Sequence, residues 1–376
     1  MLLKNYLPAF VKDKNKLLIS LLALFLLMIQ SMTYPLWLAG RNFPLVPIQD
    51  SFTIIPASVH LILFVLILLA LFVLVIYPNK WVASLALLFE LFSCMLDQNR
   101  WQPWEYFALC MLAAFVLIKD PQKQKLAWQI IIIGLYFFSG VNKCNPRFVL
   151  NVWNGMILHQ YLGIEHSSIW VIRLGYLLAL LEVLMGVGLL FKRFRKYAVL
   201  LIVAMHLFNL AFLGPLGLNF IYDVIPWNIA MPIFSIVLFY NQSFVVEKPA
   251  NWKSIYIILM ALLWWIAPFF HLFGYWQKFF SADLYSGKSA NIYICTDTIP
   301  PYFNSNKYVV FNSPHADCSK AISVFKWGLA DIKVVFYPSS KSYHAIVDYW
   351  KKKYPDNRAR FYLYDTDNKI IKQELK

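Results

Sequence analysis

Apolar positions in this chain neither alternate nor recur at helical spacing. They come in nearly unbroken runs separated by short polar segments. The first run extends from Leu17 to Pro35, and others follow at about 53–77, 81–96, 104–118, 126–141, 169–191, 197–214, 219–240 and 252–274. Runs approaching twenty apolar residues predict membrane-spanning helices, and nine such runs predict nine spans. Two of them are short: at 1.5 Å per residue, 81–96 covers about 24 Å of a hydrocarbon core roughly 30 Å thick. The polar stretch between them, Asp97–Pro103, is therefore expected to dip below the membrane surface. At that depth irregular backbone persists only when buried in protein or lining a wet cavity, so the stretch is expected to fold toward the helices, beside Lys143.

Composition excludes a soluble fold. Hydrophobic residues make up 60% of the 376 positions and charged residues 14%, with 14 Trp; mean hydropathy is +0.57. The net charge of +15 does not imply nucleic-acid binding, because Lys and Arg are dispersed between apolar runs. Instead it reports topology and attraction to membrane lipid. With the N-terminus inside, inner segments collect fourteen Lys and Arg and outer loops only Arg41, Arg100, Lys143 and Arg147, a strong positive-inside bias. No small-residue cleavage site follows the first run, which reads as an uncleaved span. An odd number of spans then puts the C-terminal hundred residues outside the cytoplasm.

From about Trp276 onward the charged fraction rises. Strand-like runs appear at Asn291–Cys295, Lys333–Tyr337 and Arg360–Tyr364, the last followed by a turn at Asp365–Asn368, and a helix is expected over Ser342–Lys353 with Ser342 as its cap. The fold class expected is an all-α polytopic membrane domain (1–275) followed by a small extracytoplasmic α+β domain (276–376). Cys295 and Cys318 lie in the latter, where an oxidising compartment allows a disulfide and two free thiols remain the alternative. No Cys/His spacing suggests a metal.

Ionisable residues at membrane depth are the informative ones. Asp97, Arg100 and Trp101 sit in the short polar stretch, and Glu105 follows. Lys143 closes the fifth run; Glu182 lies mid-run in the sixth. His206 and Asn209 lie mid-run in the seventh, three apart and so on one helical face. Each has a plainer reading: Asp97 with Arg100 as a structural ion pair, Glu182 paired with Arg173, His206 as an interhelical hydrogen bonder, Trp101 as an interface anchor. Lys143 resists one, because it falls on the cation-depleted side. Gly140 before it permits close approach and Pro146 stops the helix beyond it. A lysine in apolar surroundings with few acidic partners loses affinity for its proton and becomes usable as a general base.

The stretch Tyr136-Phe-Phe-Ser-Gly-Val-Asn-Lys143, with Asn145, resembles the YF-x-[AS]-G-x-x-K-x-[ND] segment of the vitamin K-dependent γ-carboxylases. Their membrane part is shared with bacterial horizontally transferred transmembrane (HTTM) domain proteins. Asp97–Trp104, Glu182, Met205–Asn209 and Asp283-Leu-Tyr-Ser-Gly287 agree in order. The resemblance implies an integral protein of the bacterial inner membrane that binds a reduced naphthoquinone of the vitamin K or menaquinol type, without a metal. It implies Lys143 as initiating base and His206 as polarising histidine, with Asp97, Arg100, Trp101, Asn142, Glu182 and Asn209 around the substrate, and a peptide or protein substrate. Gln102-Pro-Trp104 stands where the carboxylases carry Asn-Asn-His. That departure favours the competing reading, a non-catalytic, quinone-associated (DoxX-like) subunit binding a partner through its C-terminal domain.

Overall fold

The computed structural model describes residues 13–218, 223–240, 254–288, 290–313, 316–365 and 371–375, the last segment's first three without their side chains. Within the described residues each of the nine apolar runs carries a helix: α1 (Lys14–Met32), α2 (Ala57–Ile76), α3 (Lys80–Leu96), α4 (Pro103–Leu117), α5 (Pro121–Lys143), α6 (Ile169–Leu190), α7 (Lys192–Leu213), α8 (Val224–Phe239) and α9 (Ile255–His271). Among the described residues, α1, α2, α5, α6 and α7 are long and apolar enough to cross a membrane, and α4, α8 and α9 are shorter apolar helices. Start signals follow capping chemistry. Asp120 accepts from the backbone N–H of Gln122 ahead of Pro121 at the head of α5, and Ser168 accepts from Val171 at the head of α6. A π-type helix, Phe148–Tyr161, joins α5 to α6; the sequence pattern did not announce it.

Burial sorts the helices. The apolar stretch of α5 is 83% buried, that of α6 only 28%, so α5 is an interior helix and α6 turns most of its surface outward. Large side chains such as Leu174, Leu177 and Leu184 cover that outer surface of α6, a composition suited to lipid.

Five antiparallel strands form one sheet in the order β2-β3-β1-β4-β5, with β1 Ala290–Thr296, β2 Val309–Phe311, β3 Lys320–Ser323, β4 Ala359–Asp365 and β5 Ile371–Leu375. Two helices accompany it, α10 (Val324–Asp331) and α11 (Ser340–Lys353). The expected strands at 291–295 and 360–364 are central neighbours, with Tyr293 opposite Tyr362. Cys295 and Cys318 are joined as a disulfide, their Cα atoms 6.0 Å apart.

Two expectations need correction. Lys333–Tyr337 is not a strand: its backbone groups are taken by side chains, Val335 O accepting from Gln102 Nε2 at 2.9 Å and Tyr337 N donating to Asn99 Oδ1 at 3.0 Å. The cap of α11 is Ser339, not Ser342, since Ser339 Oγ accepts from Ser342 N. Beyond Asp365, the expected turn lies outside the described residues.

Two compact units result. One comprises the described residues of Met1–Ser31, Val65–Leu91 and Pro103–Gly287; the other those of Met32–Phe64, Phe92–Gln102 and Lys288–Lys376. The second is thus not only the C-terminal sheet. Phe43 packs edge-on against Trp327 with ring centroids 5.0 Å apart, and Lys341 reaches Ile48 O and Asp50.

The polar stretch 97–102 organises this second unit. Asp97, fully buried, pairs with Arg41 and accepts from Val46 N, Asn99 N and Asn99 Nδ2 at 3.0–3.1 Å. The ion-pair partner of Asp97 is therefore Arg41, where Arg100 was expected. Arg100, also fully buried, donates to the carbonyls of Leu36, Trp37 and Ser93, to Ser93 Oγ and to His60 Nδ1, at 2.8–3.2 Å. Because a guanidinium only donates, His60 Nδ1 is the acceptor there.

Arg100→Met keeps much of the volume but strands several buried acceptors. A destabilisation on the order of 3–5 kcal/mol is expected, measurable as a lowered thermal midpoint and faster proteolysis of the second unit.

Candidate functional site

Helix α5 presents Tyr136, Ser139, Gly140 and Lys143 along one face, positions spaced by three, one and three. Two glycines bring α6 against this face. A Cβ on Gly140 would overlap the backbone nitrogen of Val183 and stand 2.9 Å from Ala179 O, and one on Gly186 would stand 2.7 Å from Phe137 N. Backbone therefore meets backbone, an approach only residues without side chains allow.

That approach joins two residues singled out separately in the sequence. Lys143 Nζ lies 2.7 Å from Glu182 Oε2 and donates to Ser139 Oγ at 2.7 Å; the two side chains are only 12% and 9% exposed. Glu182 takes Lys143 rather than Arg173, and the expectation of a lysine with few acidic partners is corrected accordingly. The geometry supports acid–base work differently: a carboxylate in hydrogen-bond contact provides a place for the lysine's proton.

About two helical turns back, roughly 10 Å along α5, lies a second polar group. Asn228 Nδ2 donates to Val224 O at 2.8 Å, which turns Asn228 Oδ1 toward His206 Nδ1 at 2.6 Å. The proton must then sit on Nδ1, leaving Nε2 to accept from the Tyr136 hydroxyl at 2.9 Å. His206 and Tyr136 are nearly inaccessible. The partner of His206 is thus Asn228 of α8. Asn209, on the same helical face in the sequence, is half-buried one turn along α7. Neither Tyr136 nor Asn228 was singled out as a site residue. Tyr136, seven positions before Lys143, carried the only signal.

The end of α5 is tied to the segment after α9. Asn142 Nδ2 donates to Ser281 O at 2.9 Å and Asn145 Nδ2 to Ser286 O at 3.0 Å, while Asn145 Oδ1 accepts from Arg147 N and Phe148 N. Gly287 has φ +76°, and a Cβ there would overlap Arg147 O, so both conformation and space require glycine. His271 Nε2 meets Asp283 Oδ2 at 3.0 Å, both fully sheltered. Asn142 Oδ1 is buried without a hydrogen-bond partner among the described residues. Asp97, Arg100 and the half-buried Trp101 belong to the second unit, where the first two make the bonds described above. No group of three or more His, Cys, Asp or Glu converges among the described residues in a way that would hold a metal ion.

No protein-family model, curated protein or solved structure matches this chain.

Gly140→Ala should separate α5 from α6 and lower stability by about 1–3 kcal/mol, the usual range for overpacking. Gly40→Ala, with nothing within 4 Å of the added carbon, should leave the thermal midpoint nearly unchanged and serves as the comparison.

Proposed function

We propose that this is a membrane-embedded, quinol-dependent enzyme of the γ-carboxylase-like, HTTM type, with Lys143 as general base and Glu182 as the group that exchanges protons with it. The observation that supports this best is the Lys143–Glu182–Ser139 cluster, held between an interior helix and one that turns most of its surface outward. A lipid-soluble hydroquinone approaching from the bilayer would reach α6 without crossing water. Lys143 Nζ would accept a phenolic proton while passing its own proton to Glu182 Oε2. The residues present suit such a ligand: the unpartnered acceptor Asn142 Oδ1 adjoins Lys143, and a hydroquinone carries two O–H donors. Bound there, the hydroquinone would supply reducing equivalents to the reaction. Tyr136, His206 and Asn228 would orient and polarise.

In this reading the nine apolar helices all cross, the N-terminus is cytoplasmic, and the sheet-bearing unit lies outside the inner membrane, where a peptide or protein substrate would meet it. The fourteen-to-four cation bias and the Cys295–Cys318 disulfide both favour that side.

One observation favours the non-catalytic reading. Gln102, in the stretch where the carboxylases carry Asn-Asn-His, is used structurally, donating to Asn99 O and Val335 O. On that reading the protein is a quinone-associated subunit, and Lys143–Glu182 bolts α5 to α6.

Three measurements test the proposal. Solvent extraction and mass spectrometry of purified protein should recover a quinone; none at any preparation scale counts against the cofactor. Lys143→Ala and Lys143→Arg should both abolish quinol-dependent turnover while inserting normally, since arginine cannot give up its proton in a protein. Full function in Lys143→Arg would leave the residue a structural bolt. A reporter active only in the cytoplasm should be silent when fused after Lys376, and an active one would reverse the orientation.

A further inference from the structure

The sheet-bearing unit contains a cleft that the chemistry at Lys143 leaves unused. It lies just past the end of β1, just before β4 and at the end of α11. Its volume is about 530 Å³, and Asp297, Lys353, Tyr354, Asp356 and Arg358 line it. That size falls within the range of small-molecule sites. The walls are tied to one another. Asn357 Nδ2 donates to Thr298 O at 2.7 Å, Thr296 Oγ1 donates to Asn357 Oδ1, and Asn357 N donates to Tyr354 O at 3.1 Å.

Charges in this cleft are placed to pair, yet stay apart. Thr296 stands opposite Ala359 in the β1–β4 register, so one step further Asp297 stands opposite Arg358. Opposite charges in that relation ordinarily interact across strands. Among the described residues the side chains of Asp297, Arg358 and Asp356 make no hydrogen bond or ion pair. Lys353 Nζ donates to Asn42 Oδ1 at 2.8 Å and to Tyr349 Oη at 2.7 Å, which leaves one of its three N–H donors over. Two cations and two carboxylates therefore share one opening. A simple anion would gain the cations but meet both carboxylates, and a simple cation would meet the reverse. A molecule with an ammonium at one end and a carboxylate at the other complements all four.

We propose that this cleft binds a short peptide with free ends, its terminal carboxylate held by Arg358 with Lys353 and its ammonium by Asp297 with Asp356. The guanidinium offers a planar fork that takes a carboxylate at both oxygens. Tyr354 and Pro355 supply the apolar part of the lining. The volume exceeds what one amino acid fills, which points to a peptide of about two or three residues. The site stands independently of any quinol chemistry.

Ligand-observed NMR titration of the purified full-length protein, with triglycine as probe, tests this. Triglycine should bind saturably. N-acetyltriglycine and triglycinamide, each lacking one charge, should bind about tenfold more weakly. Asp297→Asn should weaken triglycine but not N-acetyltriglycine, and Arg358→Gln should weaken triglycine but not triglycinamide. Both positions are exposed, so the variants should keep the native thermal midpoint. Lys143→Ala should bind triglycine as the native protein does, whatever becomes of turnover. No saturable binding of triglycine, equal binding of the blocked forms, or unchanged affinity in both cleft variants overturns the proposal. So does binding of glycerophosphoethanolamine with triglycine inert, since the occupant would then be a lipid headgroup.

Discussion

The contact between α5 and α6 governs the helical unit. Within a bilayer, lipid tails compete on equal terms with apolar side chains, so helices associate through close packing and shared polar contacts rather than through release of water. Gly140 and Gly186 supply the packing by letting backbone touch backbone. The Lys143–Glu182 pair supplies the polar contact. Each depends on the other: without the glycines the charged groups would be held apart, and an isolated charge there would be costly. Because α6 turns most of its circumference outward, the line bearing Ala179, Glu182, Gly186 and Leu189 is a buried seam, and the candidate site is built on that seam.

The same rule recurs through the protein, with different partners. Several polar side chains buried among apolar ones are met by a group from another element: Arg41 for Asp97, backbone carbonyls and His60 for Arg100, Asn228 and Tyr136 for His206. Several partners are backbone carbonyls or neutral side chains. Such contacts satisfy donors without adding charge, an economical way to hold an arginine in a dry interior.

These partnerships mark the boundary of what the sequence makes legible. The apolar runs translate directly into helices because twenty apolar residues have few other stable arrangements. Lys143 stands out because a cation on the depleted side needs an explanation. Its pairing with Glu182 is invisible, since it depends on which helices adjoin. His206 shows the limit of local spacing: Asn209 shares its helical face, but the atom that meets the imidazole belongs to Asn228, twenty-two positions on. In the sheet, the long central strands were readable from their runs of Ile, Tyr and Phe. The short strands β2 and β3 were not, having three and four residues. Lys333–Tyr337 has strand composition but spends its backbone groups on Asn99 and Gln102, a use that no local pattern encodes.

The composition of the second unit has a bearing on topology that cation counting does not reach. Its pieces are hydrogen-bonded across separations of 233 to 311 residues, through Gln102 to Val335, Lys341 to Ile48 and Lys353 to Asn42. Groups in direct hydrogen-bond contact cannot lie on opposite faces of a bilayer, so in a membrane the loop bearing Arg41, the stretch bearing Asp97 and the C-terminal sheet share one side. The chain therefore crosses an even number of times between Arg41 and Asp97, and an even number again between Gln102 and the sheet. That parity holds whichever side the N-terminus occupies. A single misread span among the later helices would leave the sheet unable to reach its own missing pieces.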